Sequence, residues 1–258
     1  MLRSLKIICL FLVFFTENIL AASNPRVAVA SNMSHAMTDI ASSFQQESGI
    51  RAELTFGSSG NFARQIIQGA PFSMFLSADA KYIDLLTENG LKPLADIEYA
   101  RGRIVLFIPK GSPLSDSTDL QSAITKLGQG KFNRLVIANP GHAPYGVAAM
   151  QAIRNVGLQR IDKQRLLLAE NAAQATQIAL SGNVDAGIIP ASFTHLTELQ
   201  DRGIFFIIPE SLHQPLQQRL VLFEGATNME KQFFKFMQNQ KSLLIIKKYG
   251  YNITLPAN

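Results

Sequence analysis

The feature that most constrains this chain is an alternation of short apolar runs with stretches of amphipathic helical spacing, sustained from Arg26 almost to Lys248. Arg26–Ala30 (RVAVA) reads as a strand, and Ala36, Met37, Ile40, Ala41 and Phe44 then recur at helical spacing. Ala52–Phe56, Met74–Ser77, Ile104–Pro109, Leu135–Ala138, Leu166–Leu168, Ala186–Ile189, Ile204–Ile208 and Leu220–Phe223 read as further strands. Between them, Asn61–Gln68, Lys81–Asn89, Gly146–Val156 and Ala172–Leu180 read as helices, with Asn228–Gln238 and Ser242–Lys248 closing the chain. Strands alternating with helices predict an α/β architecture of mostly parallel sheets covered on both faces. The 258 residues suffice for two lobes of roughly 100–150 residues each. No Gly/Ser-rich or Pro-rich linker and no fixed-period repeat divides them. The lobes are therefore expected to be joined by crossing strands, with Ile104–Pro109 and Leu220–Phe223 as candidates.

Residues 1–23 read as a secretion signal. Arg3 and Lys6 precede a nine-residue apolar run, Ile7–Phe15, and Ala21, Ala22 and Ser23 offer a cleavage region. The run is shorter than the ~20 residues that span a bilayer, and Thr16, Glu17 and Asn18 interrupt it. The one cysteine, Cys9, leaves with this segment, so the mature chain is expected to hold no disulfide and no cysteine-ligated metal. His35, His142, His195 and His213 are scattered without metal-site spacing. The formal charge is +5, and loss of Arg3, Lys6 and Glu17 leaves +4, spread along the chain. A nucleic-acid surface would cluster that charge with aromatic residues. Here it fits mild attraction of small anions.

In open α/β sheets, ligands bind at the carboxyl ends of strands, beside the starts of helices. Four turns at such places carry chemistry: Ser31-Asn32, Gly57-Ser58-Ser59-Gly60-Asn61, Asn139-Pro140-Gly141-His142-Ala143-Pro144-Tyr145-Gly146, and Glu170-Asn171-Ala172. Each presents hydroxyls or free backbone N–H groups at a helix N-terminus, where anions are stabilised. Two turns fall in each half of the chain, so the pairs are placed to face one another. The plainer reading is that Ser and Asn cap the helices and Gly serves backbone geometry. Gly57–Gly60 lacks the spacing and lysine of a phosphate-binding loop and the G-x-S-x-G of a nucleophile elbow. His35 and Asp39, four apart, read as helix surface and not as partners of Ser58 or Ser59. Asp79 reads as an N-cap, and Tyr145 either packs beside Pro144 or lines a pocket.

In order, the segments RVAVASNMSHAMTDIASSF, FGSSGNFARQIIQGAPFSMFLSADA, ANPGHAPYGVAAM and LLAENAAQATQIALSGNVDAGII resemble the molybdate-binding periplasmic proteins of bacterial ABC importers. The closing IIKKYGYNI resembles that family's C-terminal helix and strand. The resemblance spans about residues 25–255 and rests on the ordered set with its spacings. It implies a type II periplasmic-binding fold, with residues 24–105 and 214–258 forming one lobe and 106–213 the other. It further implies a monomeric, periplasmic binding protein without catalysis or cofactor, whose ligand is molybdate or tungstate. The implied partner is the permease of an ABC importer. Carried over by position, Ser31 and Ser59 are the hydroxyl donors of the first lobe, and Tyr145 and Ala172 the backbone N–H donors of the second. Asn32 matches a neighbouring ligand position in the branch that shares the A-P-Y-G turn. The oxyanion would be held through its oxygens alone, with no protein–metal bond. One departure is Pro190, which stands where some members carry a ligand tyrosine. Sulfate binding and, as a different class, a secreted serine hydrolase are the competing expectations; a sensor domain of the same fold is a third.

Overall fold

Alternation along RVAVA places Val27 and Val29 in one buried cluster and Ala28 in another, so β1 (Arg26–Ala30) is covered on both faces. The computed structural model describes residues 24–255 apart from 159, 160, 197, 198 and 200. The expected signal segment, with Cys9, lies outside the described residues.

Two sheets organise the chain. In the first, β11 (Asn252–Ile253), β4 (Pro93–Gly102), β10 (Leu216–Phe223), β3 (Met74–Ser77), β1 and β2 (Glu53–Gly57) lie in that order. In the second, the order is β7 (Leu166–Ala169), β6 (Leu135–Ala138), β8 (Ala186–Pro190), β5 (Ile104–Pro109) and β9 (Gly203–Ile207). β1 runs parallel to β2 and β3, and β6 parallel to β7 and β8. Antiparallel pairings gather around β10, β4 and β5, the strands next to the crossings.

Helices cover both sheets. On the first, α1 (Ser34–Ser48), α7 (Asn228–Phe236) and α8 (Gln240–Lys248) share one cluster, while α2 (Ser59–Ile67) and α3 (Lys81–Glu88) share the other. Phe44 of α1 lies 4.9 Å from the Phe233 ring and 5.2 Å from the Phe236 ring, locking α7 to the first helix. Such aromatic pairs add about 0.5–1.5 kcal/mol beyond area burial. On the second sheet, α4 (Leu120–Gly128) and α5 (Pro144–Asn155) cover one face and α6 (Ala172–Leu180) the other.

The chain passes from the first sheet to the second between Gly102 and Ile104, and returns between Ile207 and Leu216. Neither candidate crossing strand spans the two sheets. Ile104 and Val105, expected in the first lobe, pair with Pro190 and Ile189 in the second, so the passage is confined to the residue between two strands. Leu220–Phe223 is the far part of β10, wholly inside the first sheet.

Candidate functional site

The parallel strands deliver all four turns to one place. Ser31, Asn32, Ser58 and Ser59 from the first lobe and Ala143, Pro144, Tyr145 and Ala172 from the second line a shared hollow of about 170 Å³. Short side chains make up its lining apart from one tyrosine, so it suits a solute of a few atoms. No lining residue carries a charged side chain. A larger void beneath α4 and α5 is lined by apolar side chains alone and offers a polar solute nothing.

The local sequence leaves donors free at this point. The helix starting at Pro144 has Ala143 before it, which supplies no side-chain cap, and Ser58 does not cap α2. Among the four turns, only Asn171 caps its helix, accepting from the Gln174 N–H at 3.0 Å. The Tyr145 and Ala172 N–H groups, in the first turns of α5 and α6, have no partner among the described residues. The two hydroxyls are oriented by the backbone. Ser59 Oγ accepts from the Ala78 N–H at 3.0 Å, and Ser31 Oγ accepts from the Ala173 N–H at 3.2 Å. Among the described residues neither hydroxyl donates to a protein acceptor, so each proton is available.

Asn32 lines the hollow, yet its side chain is engaged elsewhere. Its Nδ2 donates to Gln218 Oε1 at 2.9 Å and to Tyr251 Oη at 2.8 Å. Its carbonyl accepts from Tyr251 Oη at 2.8 Å and, across the lobes, from Ser192 Oγ at 3.0 Å. Pro190 ends β8 and has no N–H to offer. Tyr145 is buried, and its hydroxyl points at the crossing: a Cβ on Gly102 would stand 2.2 Å from it. Burial pushes the Tyr145 and Tyr99 hydroxyls well above their ordinary range and Tyr251 up to about 12, so no phenolate forms beside the hollow. A raised folded-state value adds stability that is intact below the ordinary value of 10.0 and is lost as pH climbs through the folded values. Alkaline titration is therefore expected to ionise these three tyrosines only together with unfolding, read by tyrosinate absorbance beside circular dichroism. Ionisation of every tyrosine near pH 10 with the fold intact would contradict this burial.

The lobes touch directly around the hollow. Gly60 N–H donates to the His142 carbonyl at 2.9 Å, His142 Nδ1 lies 2.9 Å from Ser58 Oγ, and Asn61 Nδ2 donates to Glu170 Oε1 at 2.5 Å. His142 Nε2 is 3.6 Å from Glu170 Oε2. Within their own segment Ser58 and Ser59 have no His/Asp pair beside them; the fold brings in His142, 84 positions along the chain from Ser58. His142 and Glu170 join the lobes beside the hollow without lining it. His35 packs edge-on against Phe193 at 5.4 Å, and Asp39 accepts from Tyr249 Oη at 2.9 Å, both away from the serines. Asp79 Oδ1 accepts from the Lys81 N–H at 3.0 Å, as its place before α3 predicts.

Two α/β lobes linked by short crossings and closed over a small, uncharged, donor-lined hollow define a solute-binding protein. The profile of the bacterial extracellular solute-binding proteins matches residues 25–252, and the chain belongs to that family. Among its relatives, the molybdate-binding protein ModA of Azotobacter vinelandii is 34% identical over 90% of this chain and 91% of its own length. The protein of that name from Rhodobacter capsulatus is 32% identical over 90% of this chain and 89% of its own. Among solved structures, the periplasmic molybdate-binding protein of A. vinelandii superposes with a TM-score of 0.79 at 28% identity, covering 90% of this chain and 99% of that one.

Proposed function

We propose that this protein captures molybdate, and tungstate with little discrimination, and hands it to the permease of an ABC importer. It does so outside the cytoplasm, after removal of residues 1–23. The observation that carries the reading is the donor set. Two hydroxyl protons from one lobe and two partnerless N–H groups from the other face one hollow with no charged side chain in its wall. The backbone N–H of Asn32 is a further donor, since its side chain is committed to the crossing.

Hydrogen bonds to a charged partner contribute roughly 1.5–3 kcal/mol each. Five or six of them outweigh the several kcal/mol lost to ligand ordering and lobe closure, and a net of about 8 kcal/mol already gives micromolar affinity. Because Ser31 and Ser59 already accept from backbone N–H groups, they act toward a ligand as donors. No carboxylate lines the hollow to take the proton of a hydrogen phosphate, so that anion binds at the cost of a poorly satisfied donor. Molybdate, tungstate and sulfate carry no such proton near neutral pH. The similarity to molybdate-binding relatives favours the larger anions over sulfate.

The proposed role is binding and not catalysis, and the molybdenum is held only through its oxygens. Calorimetry with molybdate, tungstate, sulfate and phosphate tests the ligand. Ser31→Ala and Ser59→Ala are each expected to weaken molybdate binding by about 10- to 100-fold, the loss of one charge-assisted bond. Unchanged affinity in both would remove the site. Labelling of Ser58 by a serine-directed phosphonate would favour a hydrolase instead.

A further inference from the structure

We infer that Gln218 is a positioning residue that ties the lobe crossing to both hydroxyl-bearing turns of the oxyanion site; this rests on the binding function proposed above. Its side chain is wholly buried, in a strand whose other inward positions are apolar. The pairing of β10 with β4 shifts register between Gln218 and Arg219. Bulges of this kind re-aim a side chain beside a functional site. Here the side chain enters the seam between the lobes.

Three bonds engage both donors of the amide and one lone pair of its oxygen. Gln218 Oε1 accepts from Asn32 Nδ2 at 2.9 Å, and Nε2 donates to the Leu216 carbonyl at 3.0 Å and to the Ala78 carbonyl at 3.4 Å. Asn32 directly follows Ser31, and the Ala78 N–H donates to Ser59 Oγ. One side chain thus holds the residue next to each ligand hydroxyl. Leu216, the third contact, packs in the main cluster of the second lobe. Gly102, across from Leu216 in the ladder, leaves the space: a Cβ there would stand 3.0 Å from Gln218 Nε2. A change in the path of β10 at the crossing is therefore felt by both turns through a single rigid amide.

Isosteric substitutions separate this role from mere core filling. Methionine keeps the volume and drops all three bonds. Glutamate keeps the shape and, while protonated, still offers an acceptor and one donor. Once ionised, it faces two carbonyls and stands near the bound dianion. Tyr251 Oη, which shares Asn32 Nδ2 with Gln218, and Tyr145 Oη, which meets the same Gly102 position, are kept neutral by burial over this range, and among the described residues no charged side chain bonds to Gln218.

Calorimetry with sodium molybdate, from about pH 5.5 to about pH 8.5 on either side of a perturbed carboxyl, tests this on the wild-type protein, Gln218→Met and Gln218→Glu. The ligand-free melting temperature of each is recorded alongside. Gln218→Met is expected to lose at least about tenfold in affinity, the equivalent of one such bond. Gln218→Glu is expected to bind near wild-type strength at the acid end and to weaken steadily as pH rises, while the wild type stays level. Wild-type affinity in Gln218→Met, or a pH-independent wild-type affinity in Gln218→Glu, overturns the inference. If the methionine variant does not fold, the glutamate series decides alone. Absence of molybdate binding in the wild-type protein overturns the proposed function, and this inference with it.

Discussion

Gly60→Ala is expected to give a folded, slightly more heat-resistant protein that has lost most of its affinity for oxyanions. Gly60 sits in the first turn of α2 with an ordinary backbone conformation, so alanine is welcome there on local grounds. The gain in helix propensity is at most about 1 kcal/mol. The obstacle lies in the opposite lobe. A Cβ at position 60 would stand 2.7 Å from the His142 carbonyl oxygen and 3.0 Å from its Cα, both backbone atoms across the hollow. The third neighbour, Tyr82 Oη at 2.9 Å, is the end of a side chain in the same lobe and can shift. Separated lobes therefore accommodate the methyl group, and touching lobes do not. Overpacking of about 1–3 kcal/mol then adds to the loss of the Gly60–His142 bond and to donors held off the anion. Together they weaken binding by about 100-fold or more. Paired melting curves, with and without molybdate, would show a small rise in the first and loss of the ligand shift in the second. A full ligand shift in the variant would mean that the lobes close without this approach.

Gly102→Ala is expected to act at the other side of the hollow and to be repaired by a second change. The new methyl would lie 2.2 Å from Tyr145 Oη and 3.2 Å from Cζ. Tyr145 is buried in the main cluster of the second lobe and cannot swing aside. Its displacement moves the first turn of α5, which carries one of the free N–H groups. A loss of about 1–3 kcal/mol in stability follows from the overpacking, with weaker anion binding. Tyr145→Phe alone is expected to change stability little, because among the described residues the hydroxyl it removes is buried with no partner at hydrogen-bonding geometry. Combined with Gly102→Ala it should restore much of the loss, since the closest collision goes with the hydroxyl. A double-mutant cycle in urea measures this coupling; strictly additive losses would place the clash elsewhere.

The sequence is a good guide where local pattern and tertiary role agree. RVAVA alternates and is a buried strand. The four turns carry small, polar and glycine residues at the ends of strands, which is what a site between lobes needs. Other elements are hidden for identifiable reasons. β4 reads PLADIEYARG, without an apolar run, because it lies between β10 and β11 with much of its length only half-buried. α4 is different, since its signals are present. Leu120, Ala123, Ile124 and Leu127 have helical spacing, and Asp119 forms a capping box with Ser122. The long-range contacts have no local signature. Gln218 bonds to a side chain 186 positions away, and a glutamine before an apolar run looks like the start of a strand rather than a buried tie. His142 and Ser58 are each ordinary in their own segment; only the superposition of two lobes gives them meaning.

The division of donors between the lobes has a further consequence. In the proposed site both hydroxyl donors, Ser31 and Ser59, belong to one body, and the free Tyr145 and Ala172 N–H groups to the other. Hydrogen bonds fade over a few tenths of an ångström beyond their optimum. A slight parting of the halves therefore forfeits an entire hemisphere of the coordination cage at a stroke, and the solute is left on a surface too sparse to retain it. On the proposed function, grip and discharge are two positions of the same jaw, and a partner that merely pries it apart has no need to touch the cargo.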